Sequence, residues 1–289
     1  MKTLPTLLLL LASSALAEES PTVESSAQST AASGATEPPV IAEPPDWDRL
    51  DQRISERFVS HEPIYFLYGS AAQEVKFQIS FKYRLAGKAG ESTYSKSAAQ
   101  GLYLGYTQRS LWDVSAESSP FYDTSYIPEL FYEWRAAEQR TTARVHWLGV
   151  RTGVLHESNG KADAQAHSLN TFNVRSGIVF GSAQRWHLQV VPRIYSYTNT
   201  DSDLVRYRGH GDLTLQLSKN NSTQVGVMVR AAKLQGRGSV EVNVTQPVRW
   251  RAIDLRGYVQ LQYFHGYGES LRDYDRKSSA WRAGIAFVR

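Results

Sequence analysis

The chain has 289 residues and no cysteine, which excludes disulfides, zinc–thiolate sites and thiol nucleophiles. Its net charge of +4 is uneven: residues 18–46 carry six acids and no base, whereas 31 bases face 22 acids from residue 47 onward. A basic excess in an exported chain points to anionic lipid head groups and not to nucleic acid.

The N-terminus reads as a secretory signal over residues 1–17, so the mature chain should begin near Glu18. Lys2 supplies the basic region, residues 7–11 the apolar stretch and Ala15-Leu16-Ala17 the cleavage site. No later run approaches the ~18 apolar residues of a membrane helix. Residues 18–46, rich in Ser, Ala, Thr, Glu and Pro, read as a disordered acidic linker before a domain at 47–289. Trp47, Leu50, Ile54 and Phe58 recur at helical spacing and predict a short amphipathic helix at its start.

From about residue 62 the period changes to two. Val75, Phe77, Ile79, Phe81 and Tyr83 alternate with Lys76, Gln78, Ser80, Lys82 and Arg84. Similar alternation surrounds Leu215, Val227, Val242, Leu261 and Ala283, and further runs lie near 63–69, 101–112, 125–135, 142–158, 169–181 and 185–197. About twelve alternating segments of ~10 residues after a signal peptide predict an all-β fold, a 12-stranded antiparallel transmembrane β-barrel of the bacterial outer membrane. A soluble sandwich uses shorter strands, of ~5–6 residues. Nor would its core accept Lys76, Gln78, Lys82, Arg84, Gln260 and Gln262, which suit a polar barrel interior.

Within this pattern one stretch carries chemistry. His156 and Ser158 are two apart, so a strand presents both on one face, together with Val154, Thr152, Val150 and Leu148. Asn170 shares its parity with Phe172, Val174, Ile178 and Phe180. If the chain enters from the periplasm, the fifth strand ends at the outer surface, which puts the cluster on the lipid-facing side near the outer head groups. A serine hydroxyl attacks only after a base takes its proton, and an imidazole base needs a partner that fixes its tautomer. The bland alternative is a polar strand end followed by turn residues. Gln108, in an apolar row with Leu102, Leu104 and Tyr106, raises a second question, because an unpaired amide facing lipid is costly.

Leu155-His156-Glu157-Ser158-Asn159-Gly160 followed by Asn170 resembles the outer membrane phospholipase A family. So do Tyr106-Thr107-Gln108, residues 117–121, residues 126–131, residues 266–271 and Asp273-Tyr274, which lie in the family's order over roughly 62–289. The resemblance implies a calcium-dependent enzyme that hydrolyses phospholipid acyl esters in the outer leaflet, with A1 and A2 activity, as a homodimer. It makes Ser158 the nucleophile, His156 the general base and Asn170 the residue that orients it. It also implies Ca2+ held by Ser118 donated across the dimer, the Lys161 carbonyl, Asp163, and Asp201 or Asp203, with Gln108 at the dimer interface. Ala166 stands where the family pattern has a calcium-binding serine, and Ser168 is the neighbouring hydroxyl. Two other readings remain open: a lipid A deacylase, and a non-enzymatic passive barrel or pore.

Overall fold

A computed structural model describes residues 55–289, apart from 71–73, 89–98, 137–143, 163–164, 183–184, 201–202, 220–221, 233–235 and 252–253. The expected signal, the linker and most of the expected helix lie outside the described residues. The helix reading fails at its one testable end, because Phe58 lies in a strand.

Alternation does build the fold. The strands are β1 (Phe58–Ser60), β2 (Ile64–Gly69), β3 (Val75–Lys88), β4 (Ala99–Trp112), β5 (Phe121–Arg135), β6 (Val145–Ser158) and β7 (Ser168–Phe180). They continue as β8 (His187–Thr200), β9 (Gly211–Ser218), β10 (Gln224–Ala231), β11 (Gly238–Trp250), β12 (Leu255–Gly266) and β13 (Ser278–Val288). Each pairs antiparallel with its neighbour, and β13 closes the ring on β2, with Ile285 opposite Phe66. β1 and β2 both pair with β3, at Tyr83–Phe81 and at Gln78–Val75 respectively. They are therefore one interrupted stave of a closed 12-stave barrel. At the break, Ser80 Oγ accepts from the Glu62 amide at 3.0 Å and Gln78 Nε2 donates to the Pro63 carbonyl at 2.8 Å. Side chains thus replace the rungs that a proline cannot make.

The burial pattern is inside out relative to a soluble protein. Ile194 is 65% exposed, while Lys76 and Arg282 are 2% and 1% exposed. Many inward charges form ion pairs: Lys76 with Glu241 and Glu269, Lys82 and Arg151 with Glu133, Arg175 with Glu62, and Arg193 with Asp212. Only a barrel whose outer face meets hydrocarbon makes this arrangement favourable.

One row departs from strict alternation. A bulge between Trp147 and Gly149 inserts Leu148, with Gly149 at φ +121°. A Cβ on Gly149 would lie 2.0 Å from the Trp134 carbonyl oxygen, so a glycine is required there. The extra residue flips the parity below it. Val145 and Trp147 face outward there, and Leu148, expected on the His156 face, lines the interior instead.

Candidate active site

Antiparallel connectivity brings the loops after β2, β4, β6, β8, β10 and β12 to the same end of the barrel. At that end β6 and β7 set His156 directly opposite Asn170 and Ser158 directly opposite Ser168. All four lie on the outer face, above Val154 and Phe172, which are 52% and 47% exposed. His156 Nδ1 lies 2.7 Å from Asn170 Oδ1. A carbonyl oxygen can only accept, so Nδ1 is the donor in this contact. His156 and Asn170 thus meet across two strands, and Ser158 lies two residues along the β6 row from His156.

The other flank of His156 is built differently. β5 places Tyr126 opposite Ser158 and Glu129 opposite Leu155, and the two rungs between them are missing. Pro128, counted across from His156, has no N–H to give, so the ladder opens beside the imidazole.

Glu157, between His156 and Ser158, points the opposite way and is buried in the interior. It accepts from Arg208 Nη1 at 2.6 Å, Arg208 Nη2 at 3.2 Å and Arg109 Nη2 at 3.2 Å. Arg208 comes from a short helix, α1 (Leu204–Arg208), in the loop after β8. Beside this charged anchor Leu169, Leu204 and Leu271 form a buried apolar plug, flanked by Leu155, Tyr197 and Tyr274. The plug rests on Asp123, whose Oδ2 accepts from the Leu271 and Arg272 amides at 3.0 Å each. Glu269 of the same loop reaches inward to Arg282 at 2.6 Å and Lys76 at 3.3 Å. Burial alone would raise the Glu269 pKa, but Lys76 and Arg282 outweigh it and hold it below the usual carboxylate range.

Asn159 organises the loop after Ser158. Its Nδ2 donates to the Gln165 carbonyl at 2.9 Å, and its Oδ1 accepts from the Lys161 and His167 amides at 3.3 and 3.1 Å. Gly160 turns beneath it at φ +63°, where a Cβ would meet the Tyr126 ring at 2.8 Å. Asn159, Glu157 and Asp123 were not singled out by sequence reasoning. The available signal for Glu157 was its parity: an acid facing inward between two outward catalytic candidates.

The expected calcium residues are only partly described. Ser118 is exposed at φ +63° in the loop after β4, and Lys161 is exposed. Asp163 and Asp201 lie outside the described residues. Asp203 pairs with Arg206 at 3.1 Å, and Ala166 is exposed. Among the described residues no group of three or more His, Asp or Glu gathers to hold a metal. The donors that remain, hydroxyls and a backbone carbonyl beside the Ser158–Ser168 pair, are all oxygen and fit a hard divalent cation in kind. Gln108 faces outward as expected, but its amide is not unpaired. Tyr106 Oη donates to Gln108 Oε1 at 3.1 Å, and Gln108 Nε2 donates to Ser110 Oγ at 3.4 Å. The cost argued from its sequence position is met within its own strand.

A family model described as phospholipase A1 matches residues 51–287. A Neisseria meningitidis serogroup B protein provisionally named phospholipase A1 is 33% identical over 225 residues, 74% of this chain and 54% of that protein. Phospholipase A1 of Escherichia coli K12 is 32% identical over 224 residues, 73% of this chain and 68% of that protein. The chain therefore spans about half the length of the first relative and about two thirds of the second. Among solved structures, outer membrane phospholipase A from Escherichia coli superposes with a TM-score of 0.65 at 24% identity, over 79% of this chain and 90% of that one. A Salmonella typhi outer membrane phospholipase, a dimer with bound calcium, gives the same TM-score and identity over 80% and 92%. These likenesses support the barrel fold.

Proposed function

Because the chain belongs to the phospholipase A1 family, we propose that it hydrolyses phospholipid acyl esters at the outer leaflet of a bacterial outer membrane. The observation that carries this reading is the 2.7 Å contact between His156 Nδ1 and Asn170 Oδ1 on the outer face, with Ser158 two residues along the same row.

The reaction follows from that contact. His156 Nε2 takes the proton from Ser158 Oγ as the oxygen attacks the acyl carbonyl, and the imidazolium that forms stays bound to Asn170 through Nδ1–H. The proton then passes to the leaving glycerol oxygen, which departs as the alcohol and leaves an acyl ester on Ser158. Water, deprotonated by the same nitrogen, releases the fatty acid. A neutral amide serves as orienter at lower desolvation cost than a carboxylate beside hydrocarbon. Ser118 of the partner subunit, the Lys161 carbonyl and the loop acids Asp163 and Asp201 would hold calcium, which would supply Lewis-acid stabilisation to the developing oxyanion.

The A2 and lysophospholipase activities, and activation by dimerisation, belong to the same proposal. Gln108 lies among Ile79, Tyr106 and Tyr126 on the outer face, and a second copy there would exchange its intrastrand bonds for intermolecular ones. The dimeric, calcium-bound Salmonella structure supports the dimer and calcium parts of this reading alone. The ion pairs across the interior weigh against a passive pore.

The test is release of fatty acid from detergent-dispersed phospholipid by the refolded protein, for wild type and Ser158→Ala, with calcium and with chelator. Loss of activity in the variant and in the chelated sample is expected. Full activity of well-folded Ser158→Ala would overturn the assignment.

A further inference from the structure

The catalytic reading uses the outer face of the barrel, yet the interior holds an uncompensated charge of its own. A cavity of about 1010 Å³ runs inside the strands, and Arg109, Arg193, Arg208 and Arg230 line it at the end nearer Ser158. Among the described residues Glu157 is shared by Arg208 and Arg109, and Asp212 binds Arg193 through Nε at 2.9 Å and Nη2 at 2.5 Å.

Arg230 is 9% exposed and makes no ion pair among the described residues. Its one acceptor there is the Gly268 carbonyl, 3.3 Å from Nη1. The Arg208 Nη2 group points at the same carbonyl from 3.4 Å, and Arg208 Nε is buried with no partner. Two guanidinium groups thus converge on a single neutral oxygen. Buried cations at this spacing repel, and an ionised side chain with no counter-charge is strongly disfavoured. Guanidinium forks match oxyanions bidentately.

We propose that Arg208 and Arg230 form a binding site for a phosphate-class inorganic oxyanion inside the barrel, beneath the loop after β12. The strands wall this space from the bilayer, so the anion comes from solution and not from a lipid head group. Its occupancy ties α1, β10 and the 267–277 loop together behind the strand that carries Ser158.

The test is calorimetric titration of the full-length, detergent-folded, calcium-free protein with inorganic phosphate, with chloride at equal ionic strength as the second arm. Wild type should bind one phosphate per chain saturably, chloride should not reproduce the heat, and Arg230→Gln should bind at least about tenfold more weakly. Arg230→Lys, which keeps the charge and loses the fork, should fall between. In phosphate-free buffer Arg230→Gln should unfold at no lower urea concentration than wild type, because it removes an uncompensated cation; phosphate should raise only the wild-type midpoint. Absence of saturable phosphate binding, or equal binding by wild type and Arg230→Gln, would overturn the site.

Discussion

Glu157→Gln tests whether the catalytic strand is anchored from the interior. The carboxylate receives three charge-assisted hydrogen bonds, two from Arg208 and one from Arg109. Glutamine keeps one oxygen and turns an NH2 group toward a guanidinium, leaving Arg109 and Arg208, like Arg230, with no ion pair among the described residues. Removing one partner of a buried pair costs about 3–5 kcal/mol. The Arg208 and Glu157 side chains are 6% and 7% exposed, so little is lost to screening there, but Arg109 at 22% shares its charge with lumen water. The expected loss is therefore near the lower end, about 3 kcal/mol. The assay is urea unfolding of vesicle-embedded protein followed by tryptophan fluorescence. Arg208→Met placed in the same chain should recover more than half of the loss, because it removes the orphaned cation. A loss under about 1 kcal/mol, the range of a solvated surface pair, would refute the anchor.

Three further outcomes follow from the same geometry. Asn170→Ala should lower kcat for acyl-ester hydrolysis roughly 10- to 100-fold with the fold intact, since it frees the imidazole to misplace Nε2; unchanged kcat would mean that Asn170 does not orient His156. Leu271→Ala should cost about 2–5 kcal/mol in the same unfolding assay, because Leu169 and Leu204 cannot collapse into the space left within a closed barrel. Glu269 has a lowered pKa in the folded state, so it contributes stability that is present above its unfolded value near 4.5 and lost as pH falls through the folded one. Stability measured from pH 7 down to pH 3 should therefore decline more steeply for wild type than for Glu269→Gln, and parallel curves would contradict the assigned ion pairs.

Strands and faces were legible in the sequence because a barrel wall imposes period two on every segment, and Val75–Tyr83 reads as clearly in the chain as in the fold. The shared face of His156 and Ser158 was legible for the same reason, since parity alone gives it, and the antiparallel register supplies the pairing with Asn170. What escaped were features that break the period or act across many residues. The bulge at Leu148 adds one residue, which no count of alternation registers. Phe58 carried a helical spacing over too few residues to outweigh pairing with Tyr83. The inward reach of Glu269 and Leu271 in the loop after β12 was likewise hidden, because it is settled by charges and leucines contributed from distant strands. Gln108 looked unpaired because its partners, Tyr106 and Ser110, stand two residues away along its own strand, a contact that hydropathy patterning does not score.

The outward placement of Ser158 has a kinetic consequence. Its mouth opens onto the plane of the bilayer, so substrate for the proposed reaction arrives by lateral diffusion and not from bulk water. The relevant concentration is a surface mole fraction: diluting phospholipid with inert detergent at constant total lipid should slow turnover, while diluting the whole suspension with buffer should not. An enzyme built this way senses the composition of one leaflet and is indifferent to how much membrane the cell contains.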